Sequence, residues 1–182
     1  MSNISERARV AVLLCDYAGA DAISKVNALG LGWAVTGINP STGTTAPMTV
    51  LVFVDTPPDM YGQEFAITLT LRDAAGKPVE LPGPAGNPQA MRLAQNVRAE
   101  EPSFPSEANV PRHAVWAHSQ MVFNLLNGLP LQPGQLYTWT VEIDSTRLDG
   151  WSVSFYVSGP RPGLVFGGPA NPADIPDLDE PT

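Results

Sequence analysis

One cysteine, two histidines and only ten lysines and arginines in 182 residues are scarcities that each close off a class of explanation. Cys15, being alone, forms no intrachain disulfide, and a cysteine-only zinc site is impossible. The basic residues are scattered, and the net charge is -8. Nucleic-acid affinity comes mostly from clustered Lys and Arg releasing counterions, so a phosphate-backbone binder is excluded as the expected class. No window approaches the roughly 18 apolar residues of a membrane span, and Met1 to Arg7 lacks the apolar stretch of a signal peptide. The expectation is a cytoplasmic protein, or a virion protein if phage-encoded, with no membrane partner.

Charged residues make up only 15% of the chain, so its surface polarity rests on Ser, Thr, Asn, Gln, Gly and Pro. The 43% hydrophobic fraction is enough for a core, and the length fits one domain with tails. With 16 glycines and 19 prolines, long helices are interrupted everywhere, and short strands joined by turns are favoured.

Alternation with a period of two, which puts successive side chains on opposite faces of a strand, runs through most of the sequence. Tyr137, Trp139, Val141 and Ile143 alternate with Thr138, Thr140, Glu142 and Asp144. Beyond a polar turn at 145–150, Trp151, Val153, Phe155 and Val157 alternate with Ser152, Ser154, Tyr156 and Ser158, which predicts an antiparallel hairpin. Phe65, Ile67, Leu69 and Leu71 form a third such face, followed by turn chemistry at Asp73 to Gly76. Met48 to Val54 is almost wholly apolar, the mark of a central strand covered on both faces, and Arg9 to Cys15 reads the same way.

Other stretches leave alternatives open. Residues 16–29 allow one helical turn, and 31–38 read as a strand weakened by Gly32. Residues 82–89 read as a loop, 90–97 as a strand and 100–111 as a long surface loop. Residues 113–125 fit a strand, although the half from Met121 fits the start of a helix equally well. The expected architecture is all-β: a two-layer antiparallel β-sandwich, immunoglobulin-like or jelly-roll-like, with at most one short helix and a barrel as the rival. Residues 1–8 are expected as an N-terminal arm, 9–158 as the sandwich, and 159–182 as a disordered Pro/Gly-rich acidic tail. Within the sandwich, Leu131 to Tyr137 turns through Gly134 into a strand whose Tyr is placed to tie down the corner.

The run Val12 to Ala18, then Lys25 to Trp33 with Gly30 and Gly32, resembles an uncharacterised family of bacterial and phage proteins carrying an LL-x-DYA motif. Its later pieces match residues 73–79 and 131–137. The resemblance implies an all-β domain of bacterial or phage origin and transfers no mechanism.

Cys15 beside Asp16 would be a nucleophile if His113 or His118 activated it; otherwise it is a buried strand thiol before a turn aspartate. The two histidines, five apart, cannot share a metal from one strand face. Gly30 and Gly32 lack the rest of a nucleotide fingerprint. No catalytic residue, metal site or cofactor is therefore expected. Asp174, Asp177, Asp179 and Glu180 read as a solvated segment, with Ile175 and Leu178 as anchors for a partner groove. Trp139 and Trp151 read as core, and Asp16, Tyr17, Trp33 and Trp116 as partner-binding candidates. The expectation is a non-enzymatic module that binds a protein partner or self-assembles, as a phage particle component or an intracellular adaptor. The alternative is a hydrolytic enzyme built on Cys15.

Overall fold

A computed structural model describes residues 4–21, 25–83, 86–111 and 113–159. Among them the chain makes one α-helical turn, α1 (Ile4–Arg7), two 3-10 turns (Pro58–Met60 and Ser106–Ala108) and thirteen strands. They are β1 (Arg9–Cys15), β2 (Tyr17–Ala20), β3 (Val26–Leu29), β4 (Val35–Asn39), β5 (Thr44–Thr45), β6 (Met48–Thr56) and β7 (Glu64–Arg72). The rest are β8 (Glu80–Pro82), β9 (Pro88–Ala90), β10 (Arg92–Arg98), β11 (Ala117–Leu125), β12 (Gln135–Ile143) and β13 (Ser152–Ser158).

The strands form a sandwich, as the periodicity predicts. One layer is three-stranded, in the order β1-β6-β11, and the other is six-stranded, in the order β10-β7-β12-β13-β4-β5. The inward faces are the apolar halves of the alternating strands: Val50, Val52 and Val54 of β6 against Ile67, Leu69, Trp139, Val141 and Phe155. Burying each large apolar side chain contributes about 1.5–3 kcal/mol, so this shared interior holds the two layers together. β6 is buried on both faces, as its unbroken apolar run requires. Its even-numbered residues face the sandwich core, while Leu51 joins a second cluster with Cys15 and Ala18 on the far side of the small sheet. The hairpin of β2 and β3 supplies the cover for that far side.

The tyrosine corner forms. Tyr137 Oη donates to the Gln132 carbonyl at 3.1 Å and accepts from Gln132 N–H at 3.0 Å, and Gly134, at φ +85, donates to Val157 O.

Several segments differ from expectation. The described residues of 16–29 form the β2–β3 hairpin, with no helical turn among them. Asp21 accepts the Lys25 amide at the hairpin end, and burial of Ala18 against Cys15 and Leu51 outweighs the weak helical tendency of a glycine-containing stretch. The strand expected from Leu31 begins only at Val35, because Gly30 and Gly32 take positive φ and make a turn. Within the presumed loop at 82–89, Pro82 and Pro88 pair as the ends of a small hairpin, where an edge position tolerates proline. The segment from Met121 stays in β11, whose nine residues pair with β6. Residue Ile4, expected within an arm, is fully buried, and Arg7 donates to Asp59 through both terminal guanidinium nitrogens, Nη1 and Nη2. One pairing is parallel: β4 joins β13 with Tyr156 opposite Val35. The tail expected from 159 lies, beyond Gly159, outside the described residues.

Candidate functional site

The thiol alternative is tested by geometry. Cys15 is fully buried at the end of β1, with the Thr49 carbonyl as its polar neighbour at 3.9 Å. Burial, and next the charge of Asp16, push its pKa above the ordinary thiol range, against a lowering hydrogen bond from the Tyr17 backbone. A thiol held neutral is a poor nucleophile. Both imidazoles sit at the far end of β6. Cys15 lies opposite Thr49 and His118 opposite Asp55, a separation of about 20 Å at the usual rise per strand residue. His118 pairs with Asp55 and stacks on Phe53, while His113 stacks on Tyr61 with ring centroids 5.6 Å apart. Neither reaches the thiol. Among the described residues, no group of three or more His, Cys, Asp and Glu is placed to hold a metal ion, and no helix is long and apolar enough to cross a membrane.

The motif glycines have a structural reason. The Asp16 carboxylate lies over Gly30, where an added Cβ would come within 2.1 Å of a carboxylate oxygen, and Gly32 N–H donates to Leu14 O at 2.8 Å. The two halves of the motif thus meet at the β3–β4 turn, beside the edge of the large sheet.

That edge is the unusual feature of the surface. Val35, Thr36 and Gly37 pair with β13 on one side, while β5 covers only Ile38 and Asn39 on the other. Ala34 already gives its carbonyl to Tyr156 N–H. The alternation of a parallel ladder then turns the N–H and C=O of Val35 to the open side. Among the described residues no strand pairs with this side of Val35; an edge left so is a template for another strand, and sheets ordinarily blunt such edges with charge, proline or cover.

Next to the bare edge, the outer face of the sheet is apolar. Leu136, Tyr156 and Val35 stand in register across three neighbouring strands, 45%, 41% and 62% exposed. The band continues around the edge through Leu31, Leu29 and Tyr17, all exposed. Two shallow hollows, of about 550 and 770 Å³, meet at Ala46 and Pro47 and are lined in part by Trp33, Val35 and Leu126. No charged residue occurs between Lys25 and Asp55. The rim's charge is that of Asp16.

Of the residues expected to bind a partner, three are brought together here. Asp16 and Tyr17 are exposed on the rim, and Trp33 lies half-buried, edge-on to Phe155 at 5.9 Å, with its indole N–H lacking an acceptor among the described residues. Trp116 lies elsewhere. Half-buried at the other end of the small sheet, it is covered by the Arg9 guanidinium 4.5 Å above its ring, a cation-π contact. Ile175 and Leu178, with the acidic cluster around them, lie outside the described residues.

Periodicity reasoning passed over Val35, Leu136 and Tyr156, although two of them left a signal. Tyr156 is the one aromatic among the serines of its outward face, and Leu136 is the one aliphatic on the outward face of β12. Compared with known proteins, the chain matches no protein-family model and no curated protein.

Proposed function

We propose that this chain is a non-enzymatic β-sandwich module that binds protein by accepting an extended segment along the open edge of β4. The observation that carries the reading is the coincidence of the open side of β4 at Val35, which no strand covers among the described residues, with the exposed row Leu136, Tyr156 and Val35. Main-chain hydrogen bonds to an edge supply affinity, and the side chains flanking it supply selectivity. An accessory or structural component of a phage particle, or an intracellular adaptor, is the setting in which the opening motif's resemblance would place such a module.

Peptides selected from a random library on the folded protein test this. Enriched peptides should be rich in β-branched and aromatic residues, should slow amide exchange at Val35 and Gly37, and should lose binding to the Gly37→Pro variant. Selected peptides that map to another surface, or that bind Gly37→Pro unchanged, would remove the β4 edge from the account.

A further inference from the structure

A separate hollow lies over β12 and β13 on the outer face of the large sheet. Its floor is the hydroxyl-bearing side of the two strands, where Thr140 stands opposite Ser152 and Thr138 opposite Ser154. The turn that follows β7 and the turn that joins β12 to β13 both line it, and it encloses about 320 Å³, the small end of the range for small-molecule sites. We propose that this hollow binds a neutral polyhydroxylated ligand, a single sugar unit. The site is independent of the β4 edge.

The wall contributed by β7 and its turn is fixed, with its polar groups already satisfied. Arg72 donates through Nε to Thr140 Oγ1 at 3.1 Å and through Nη1 to the Gly76 carbonyl at 3.1 Å, while Nη2 lies 3.6 Å from Glu142 Oε1. Thr140 in turn donates to Thr70 O at 3.2 Å, and Asp73 accepts the Ala75 and Lys77 amides. The other wall is held by backbone and leaves its side chains unspent. Ile143 and Thr146 exchange backbone hydrogen bonds and Trp151 is buried, yet Arg147 and Asp149 make no hydrogen bond or ion pair among the described residues. Arg147 offers donors alone and Asp149 acceptors alone. A hydroxyl both donates and accepts, so neighbouring hydroxyls of one ligand satisfy the two at once. Thr138 and Ser154 share one hydrogen bond at 2.8 Å, which leaves the accepting hydroxyl's own proton free.

Charge and exposed carbon fix the ligand class. Arg72, Arg147, Asp73 and Asp149 line the hollow together, so their formal charges cancel: an anion meets the carboxylates and a cation the guanidinium groups. Leu136 and Leu148 line it as well, 45% and 43% exposed, and present an apolar surface to the C–H face of a ring. A ring with carbon on its face and hydroxyls around its rim meets both demands, in the pattern of an apolar lining with a few placed polar groups.

The test titrates the full chain, isotope-labelled for amide NMR, with the methyl glycosides of glucose, galactose, rhamnose and N-acetylglucosamine, and separately with inorganic phosphate and acetate. At least one glycoside should shift the amides of 73–76 and 147–152 and saturate with a Kd of about 1 mM, the strength expected of so small a ligand. Arg147→Ala and Asp149→Asn should each weaken that binding about tenfold, the loss of a charge-assisted hydrogen bond. Both side chains are exposed, so urea unfolding of the variants should match the parent. Val35→Lys, at the β4 edge, should bind the glycoside as the parent does. Absence of a saturable shift with every glycoside overturns the proposal, as do shifts that map away from the two turns or binding that both hollow variants keep. Tighter binding of phosphate or acetate at the same amides also overturns it, because the hollow would then be an anion site on Arg147.

Discussion

The two edges of the six-stranded sheet are built by opposite rules. At one edge, β10 carries Arg92 and Arg98 at its ends and exposed Gln95 and Asn96 between them, so an approaching strand must strip water from two guanidinium groups. At the other, β4 offers Val35, Thr36 and Gly37 with no charge in reach along its own sequence, and a two-residue β5 covers only what lies beyond. The two edges thus differ in protection: one is guarded by charge as sheets usually are, and the other, among the described residues, carries neither charge nor full cover.

The comparison breaks most severely if β5 is displaced. Thr45 donates its amide to Leu129 O at 2.9 Å and accepts the Leu129 amide on its hydroxyl at 3.0 Å. Gly128, at φ +65, packs so closely that an added Cβ would stand 2.0 Å from the Thr45 carbonyl oxygen. Gly128→Ala is therefore expected to cost roughly 2–4 kcal/mol in urea unfolding, combining the left-handed strain with a backbone clash. Gly134→Ala, at φ +85 but with nothing within 4 Å of its Cβ, serves as the control, losing only about 1–2 kcal/mol. Equal losses at both sites would show that β5 is not locked in this way.

Converting the guarded edge into a copy of the open one comes next. The double variant Arg92→Val/Arg98→Val keeps the strand-forming character of β10 and removes its charge. Light scattering across a concentration series should then show mass rising more steeply than in the parent. An unchanged series would mean that the arginines do not guard the edge.

The reverse conversion is the mildest for the fold. Val35→Lys places a charge on an exposed side chain, so stability should stay within about 0.5 kcal/mol of the parent. Binding of an edge-selected peptide should fall strongly in the same variant. A variant that loses stability without losing the peptide would make Val35 a structural residue.

How much of this the sequence displayed depends on the kind of signal. The core strands were legible because burial imposes a period of two: Trp139 and Val141 face inward and Thr140 outward wherever the sheet lies. The double burial of β6 was legible for a related reason, since only a strand covered on both faces is apolar at every position. The β2–β3 hairpin was not, because Ala18 and Ala28 carry little local preference and fold as they do only when Cys15 and Leu51 provide a surface to cover. The open edge was hidden more deeply. Val35, Tyr156 and Leu136 are far apart in sequence and become one row only through the register of three strands, one of them parallel. The uncharged stretch from 26 to 54 was the available clue.

The smallest effect concerns the floor beneath the rim of the open edge. Cys15, Ala18 and Leu51 anchor the hairpin that presents Tyr17 and Leu29, and Cys15 keeps its proton more tightly in the folded chain than when exposed to water. Above the ordinary thiol value of about 8.5 the unfolded chain releases that proton while the folded chain retains it, so the folded state binds more protons and stability falls as pH rises. Below that pH the thiol is protonated in both states and contributes no slope. Urea unfolding of the parent at pH 7.5 and 9.5 should therefore show a loss at the higher pH that is smaller in Cys15→Ala, where the Tyr137 hydroxyl, also raised by burial, still contributes. A thiol reagent should also react slowly with the native chain and faster as urea opens it. Equal slopes in the two proteins, together with rapid native labelling, would mean that the hairpin opens readily and that the rim of the β4 edge is not held in place by this buried cluster.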